Sequence, residues 1–204
     1  DVPAKEDRSL WIVSWGFDVP NLLKRLRFRQ VVYQAHSTGY GFDLPPGVPV
    51  IAVSRNTLGY WAARAPRNPL FFVPNALEPK WLSSRDALPL ESRPIDVLVQ
   101  VRKSSPYVVN QLLPALRNEG INVYLQSGWV DDLVQLFRAS KVYIYDSAEY
   151  WTGRGVTEGF GLPPIEALAS GCVVFTSFNH ALSDLLTPGK TAHQIGCGTL
   201  DYDV

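Results

Sequence analysis

The residues with the clearest capacity for chemistry lie in one segment, 157–166, which reads Thr-Glu-Gly-Phe-Gly-Leu-Pro-Pro-Ile-Glu and runs on into Ala-Leu-Ala-Ser-Gly. Two prolines followed by good helix formers predict a helix starting at about Pro164, and Gly171 marks its end. Glu158 then lies in the loop before that helix and Glu166 in its first turn. Gly159 and Gly161 let the backbone approach a ligand closely. The N–H groups of such a loop and helix start suit an anion, typically a phosphate. Two carboxylates facing one phosphate would repel it, so Glu158 and Glu166 are better suited to accept hydrogen bonds from hydroxyls. Phosphate-binding amides beside hydroxyl-binding carboxylates describe a nucleotide-sugar. Spacing alone leaves open a plainer alternative, Glu166 as a helix-dipole carboxylate and Glu158 as a loop charge. His36 ends a predicted strand over 31–36 and is followed by Ser37-Thr38-Gly39. The carboxyl end of a parallel strand is where ligand groups gather in open α/β sheets; the alternative is a satisfied histidine at a strand edge.

The elements that must position these residues alternate along the chain. Short runs rich in Val, Ile and aromatics, bounded by Gly, Pro, Ser or Asn, predict strands over 10–15, 31–36, 48–54 and 70–74, with helices over 21–30 and 56–65. Residues 75–94 contain three prolines and no period, which predicts a linker. A second alternation follows: strands over 95–101, 121–126, 142–145, 173–176 and 192–195, with helices over 107–118, 131–140, 164–170 and 181–186. Near-continuous apolar strands separated by helices indicate parallel sheets covered on both faces. The predicted fold class is α/β, with two Rossmann-like parallel-sheet units: 1–74, the incomplete first unit; 75–93, the linker; and 94–204, the second. Four strands are about half of a doubly wound domain.

Composition bounds the rest. The chain has 204 residues, 46% apolar and 19% charged, too apolar for disorder. Nineteen basic and nineteen acidic residues cancel, which argues against a bulk nucleic-acid-binding surface. No apolar run approaches the ~20 residues of a membrane span. Cys172 and Cys197 form neither a disulfide framework nor a zinc knuckle, so reduced thiols and a cytoplasmic protein are expected. There is no Met and residue 1 is Asp, so the chain is expected to be processed or excerpted; charged residues at 5–8 precede only a short apolar run, unlike a signal peptide.

With these residues in view, 156–170 resembles the Glu-x7-Glu signature of retaining glycosyltransferases of the GT-B fold, family 4. Gly128-Trp129-Val130 ahead of an acidic helix resembles that family's Gly-aromatic-Val step. Val73-Pro74-Asn75-Ala76 is similar to its interdomain Val-Pro-Asn-Gly, and Ala52-Val53-Ser54 to the last strand of its first domain. The resemblance spans about 31–196. It implies a donor site made by Arg102, Lys103, Gly128, Trp129, Glu158, Gly159, Phe160, Gly161, Leu162 and Glu166. It implies catalytic roles for His36, which would orient the sugar, and for Glu158 and Arg102. Arg102 directly follows the first strand of the second unit, where the family places an Arg against the diphosphate. The Lys that usually stands five residues later is Tyr107 here. Lys103 is adjacent, but neighbours on an extended chain point opposite ways.

The activity so implied is retaining, metal-independent transfer of a sugar from a nucleoside-diphosphate sugar to a carbohydrate, lipid or protein hydroxyl, with no cofactor and no nucleic-acid partner. The alternatives are a non-catalytic nucleotide-sugar-binding or assembly module and, further off, a sugar-nucleotide epimerase. Asp201-Tyr202-Asp203 matches a metal-binding Asp-x-Asp but reads as coincidence at the end of the chain, and the three histidines lack zinc spacing. Cys172 reads as a small core residue. Residues 24–29, Lys-Arg-Leu-Arg-Phe-Arg, suit either a solvated helix face or contact with an anionic membrane or acidic acceptor, the latter making the protein membrane-peripheral. Trp11, Trp15, Tyr33 and Trp61 read as core or interface aromatics.

Overall fold

In the computed structural model the apolar runs become strands, and every strand pair is parallel. The structure describes residues 8–14, 16–83, 88–196 and 199–204. Trp15, Cys197 and part of the expected linker lie outside the described residues. Contacts divide the chain into two units: Asp1–Asn75 with Gly155–Phe160, and Ala76–Arg154 with Gly161–Val204. The Glu-x7-Glu segment therefore crosses the division, with Glu158 in the first unit and Glu166 in the second.

In the first unit, β1 (Leu10–Ser14), β2 (Gln30–Ala35), β3 (Val50–Ala52) and β4 (Leu70–Phe72) lie side by side in chain order. Helix α1 (Val19–Arg25) begins earlier than the pattern indicated because Pro20 fits a first turn, and it stops before β2. Helix α2 (Arg55–Arg64) is capped by the Ser54 hydroxyl, which accepts from the Thr57 amide at 3.1 Å. That cap shortens the third strand, since Ser54 serves the helix. Tyr33 and Trp61 are fully buried and meet edge to face at 5.3 Å in the core.

In the second unit, a short helix α3 (Pro79–Leu82) precedes β5 (Ile95–Gln100). A π-turn at Val108–Leu112 runs into α4 (Leu113–Asn118), and then come β6 (Val123–Gln126), α5 (Leu133–Arg138) and β7 (Ser140–Tyr145). After α6 (Ala148–Thr152) follow α7 (Leu162–Ala169), β8 (Val173–Thr176), α8 (Leu182–Leu185), β9 (His193–Gln194) and α9 (Leu200–Asp203). The strand order is β6-β5-β7-β8-β9. Winding reverses at β5, so a crevice opens between β5 and β7 at the carboxyl ends of the strands. Both faces are covered: Leu98, Phe137, Tyr143 and Val174 pack on one, Val97, Val99, Leu112 and Ile144 on the other. The expected single helix over 107–118 is widened ahead of Pro114. That residue has no amide to give its turn, and the Leu113 amide bonds to Val108 O instead.

The proline-rich stretch is docked where it is described. Trp81 of α3 is buried against Leu98 and Phe137. The Arg138 guanidinium donates to Lys80 O at 3.0 Å and to Ser83 O. Buried Arg93 donates to Ser140 O at 2.7 Å, Ser170 O at 3.0 Å and Leu88 O at 3.2 Å. Cys172 sits in this core, its thiol pushed up to about 11 by burial, as suits a packing residue.

Candidate functional site

The carboxyl ends of β5, β6 and β7 open into a cleft of about 910 Å³, within the range of small-molecule sites. Lys80, Arg102, Lys103, Gly128, Trp129 and Glu166 all line it. The end of β5 is not extended as the sequence suggested. Lys103 has φ 72°, the Ser104 hydroxyl donates to Gln100 O at 2.5 Å, and the chain turns back. Alternation therefore does not separate Arg102 from Lys103, and both reach one cleft. Lys103 Nζ lies 4.7 Å from the centroid of the Trp151 ring in α6.

The cleft floor is a hydrogen-bonded chain that sequence reasoning missed. Tyr143 Oη donates to Gln100 Oε1 at 2.8 Å, and Gln100 Nε2 donates to Gln126 Oε1 at 3.1 Å. Gln126 Nε2 then donates to Gly128 O. Three strands thus fix the start of the Gly128-Trp129 turn, and such networks rigidify what they hold. The Trp129 indole is 91% exposed and donates to Asp131 Oδ1 at 3.1 Å. Asp132 caps α5 by accepting from the Gln135 amide at 3.0 Å.

Helix α7 starts at Leu162, with Gly161 as its N-cap at φ 88°. This is two residues before the expected start, so Glu166 falls in the second turn. Pro163 and Pro164 carry no N–H, which leaves the amides of Gly161 and Leu162 as the donors of the helix start. Cations must carry more of any anion's charge than the sequence implied. Lys80 is the one sequence reasoning missed. It is presented by α3, paired with Glu78 at 2.8 Å, and aligned by no motif, because Trp81 and Arg138 place it through tertiary contacts. Glu166 is half-buried in the same cleft. Burial and then the Glu78 carboxylate raise its pKa, while Lys80 and Lys103 pull it back.

The first unit holds His36, Glu158, Gly159 and Phe160. His36 follows β2, and its Nε2 lies 3.0 Å from the Ser14 hydroxyl at the end of β1. Burial lowers its pKa, which keeps the imidazole neutral at pH 7. The small hydroxyl residues after it clasp the signature loop. Ser37 Oγ donates to Thr157 O at 2.6 Å and accepts from the Thr157 amide at 3.3 Å. Thr38 Oγ1 and Thr157 Oγ1 are 2.8 Å apart, and Asn56 Nδ2 donates to that same Thr157 oxygen at 3.4 Å. Glu158 and Phe160 are buried in this unit. Gly159 has a reason beyond ligand access: a Cβ there would fall 1.4 Å from the His36 carbonyl oxygen. Leu162 is at the surface of α7 in the second unit. Asp203 accepts from Tyr107 Oη at 2.5 Å and from the Gly196 amide at 2.9 Å, so that carboxylate is a local staple of α9. Among the described residues, no group of three or more His, Cys, Asp or Glu is placed to hold a metal, and no helix is long and apolar enough to cross a membrane.

Residues 109–198 match the family described as glycosyl transferases group 1. No curated protein matches the chain. Among solved structures, the chain is similar to sucrose-phosphate synthase from Thermosynechococcus elongatus, with TM-score 0.63 and 17% identity over 94% of this chain and 61% of that one. It is similar to a glycosyltransferase from Rickettsia africae ESF-5 (0.63, 12%, 94% and 64%). It is also similar to HepE from Anabaena, solved in complex with UDP and glucose (0.61, 15%, 93% and 65%). The chain spans less than two thirds of each. The likeness is one of fold, and with the family match it bears out the resemblance to GT-B glycosyltransferases and the α/β reading of two Rossmann-like units.

Proposed function

We propose, from the premise that the second unit carries a group 1 glycosyltransferase segment, that the protein transfers a sugar from a nucleoside diphosphate to an acceptor hydroxyl with retention of configuration. The observation that carries this reading is the cleft at the β5/β7 switch point, where Lys80, Arg102 and Lys103 share one wall system with four carboxylates, Glu166 among them, and an exposed indole. Lys80, Arg102 and Lys103 meet the diphosphate, whose charge grows as the bond from the anomeric carbon to the phosphate oxygen breaks. The Gly161 and Leu162 amides add two donors to the same anion. Glu166 accepts hydrogen bonds from sugar hydroxyls. Neutral His36, held by Ser14, is available to a hydroxyl as donor or acceptor according to its tautomer.

The acceptor oxygen bonds to the anomeric carbon as the diphosphate leaves, and the hydroxyl proton passes to the departing phosphate oxygen. No side-chain base is required. The rate enhancement comes from orientation and from electrostatic stabilisation of the leaving group. UDP and glucose in HepE make UDP-sugars the first donors to try.

The test is a calorimetric titration of UDP-, GDP- and ADP-sugars, followed by assays of nucleotide release and sugar transfer with Glu166→Ala alongside. Binding, turnover, and loss of turnover in the variant support the proposal. Parental turnover in Glu166→Ala refutes the site, and binding without turnover in the parent leaves a binding module.

A further inference from the structure

The first unit carries a second cleft, of about 800 Å³, at the end of its sheet away from His36. Its walls come from the amino ends of the strands, at Leu10, Gln30 and Val48, and from the last turn of α1 and the residues after it. Lys24, Arg27 and Arg29 line it, opposite Pro45, Pro46 and Pro49. The one acid in its lining, Asp43, is paired with Arg64 at 3.1 Å. Arg25 lies in the same stretch, so four cations fall within six residues of a chain whose formal net charge is zero. The whole-chain balance conceals a concentrated local field.

Apolar surface is interleaved with that charge. Phe28 is 83% exposed with the Arg27 guanidinium 4.7 Å above its ring, and Leu22 is exposed on α1. Helix-dipole complementarity accounts for Lys24 and Arg25 in the last turn of α1. It does not account for Arg27, or for a phenylalanine held in water beside it. Lys24, Arg25 and Arg27 are all exposed. An exposed cationic face interleaved with apolar side chains suits a plane of anionic headgroups, and an exposed aromatic gains by entering the headgroup region.

We infer that this face docks the protein onto an anionic phospholipid bilayer surface. The docked end and the His36 end are separated by the length of β2, six residues or about 20 Å, so docking leaves the carboxyl ends of the strands open to water. The inference is independent of the proposed transfer reaction.

Vesicle sedimentation of the full chain tests it, with phosphatidylcholine alone and with about a third phosphatidylglycerol. Binding to the anionic vesicles alone, weakened by salt, is expected. Arg25→Ser and Arg27→Ser should each reduce it roughly fivefold. Phe28→Ser should reduce the binding that survives high salt, and Arg117→Ser, an exposed cation of the second unit, should leave it unchanged. All four positions are exposed, and unchanged thermal unfolding confirms that the variants fold. The inference is overturned if the parent ignores anionic vesicles, or if Arg117→Ser weakens binding as much as Arg27→Ser. It is also overturned if heparin binds as tightly as vesicles while Phe28→Ser has no effect, because the partner is then a soluble polyanion.

Discussion

Replacing Gly159 by alanine adds one methyl group where the structure has no room for it. The new Cβ would sit 1.4 Å from His36 O, 2.6 Å from its carbonyl carbon and 3.2 Å from Ser37 Cα. These are backbone atoms at the end of β2, so no side-chain rotation relieves the clash. An ordinary contact requires a retreat of about 2 Å by the loop or the strand end. The loop is tied by the Ser37 and Thr38 hydroxyls and by Asn56, all of them acting on Thr157 two residues away. A retreat that large breaks those bonds.

Overpacking of this kind costs about 1–3 kcal/mol. At about 2–4 °C per kcal/mol for a chain of this size, Tm should fall by about 2–12 °C. Displacements near 1 Å in catalytic groups cost about a hundredfold in rate, so sugar transfer should drop by at least that factor. Differential scanning calorimetry and a donor-turnover assay read the two effects. Amide exchange at Ser37 and Thr157 reads the loop directly, whatever the enzyme activity. Gly159→Ala with parental Tm, exchange and turnover would refute the argument that the signature loop is clamped by the end of β2.

Lys80→Ala should weaken binding of UDP and of inorganic pyrophosphate about tenfold, as expected for a lost charge-assisted contact; calorimetry showing equal affinities removes Lys80 from the site. Lys103→Gly relieves a left-handed residue but loses a contact with Trp151, so unfolding free energy should change by less than about 1 kcal/mol while pyrophosphate affinity falls about tenfold. Glu166→Gln removes a carboxyl whose raised pKa makes the native state bind more protons than the unfolded chain above its ordinary value near 4.5. The parent should thus lose stability as pH rises through that window and the variant should not, gaining no more than about 1 kcal/mol at pH 7 in the ligand-free protein after solvent screening; parallel pH slopes in chemical denaturation would contradict this. Gly59→Ala, inside α2 with nothing within 4 Å of the added Cβ, should raise stability by about 0.5–1 kcal/mol; a lower Tm would show that α2 is not the regular helix described.

What could be read from the sequence depended on whether its cause was local. The strands were legible because period and β-branching survive folding unchanged: β5 and β8 fall where the apolar runs place them. Helix ends were less so. Helix α7 begins at Leu162 because Gly161 takes a left-handed backbone, and neither proline announces that. The grouping of Arg102, Gly128, Trp129 and Glu166 around one cleft follows from strand order, which alternating composition suggests but does not fix. Lys80 could not be found at all. Its segment has no period, and its position depends on Trp81 finding the core and Arg138 reaching two carbonyls.

That dependence accounts for an arrangement that is otherwise hard to place, a lysine from a proline-rich segment in a cleft made by strand ends. A helix start that offers two amides where prolines replace the next two holds a diphosphate less well than a full set of donors would. The position where a second cation was expected is Tyr107, and its hydroxyl is committed to Asp203. Charge must then arrive from elsewhere in the second unit, and the elements that reach the cleft mouth are the turn after β5 and the docked helix α3. Each brings a lysine. Arg138 and Trp81 thus act on the cleft through Lys80, and loosening α3 should weaken anion binding with no change to any residue that touches the ligand.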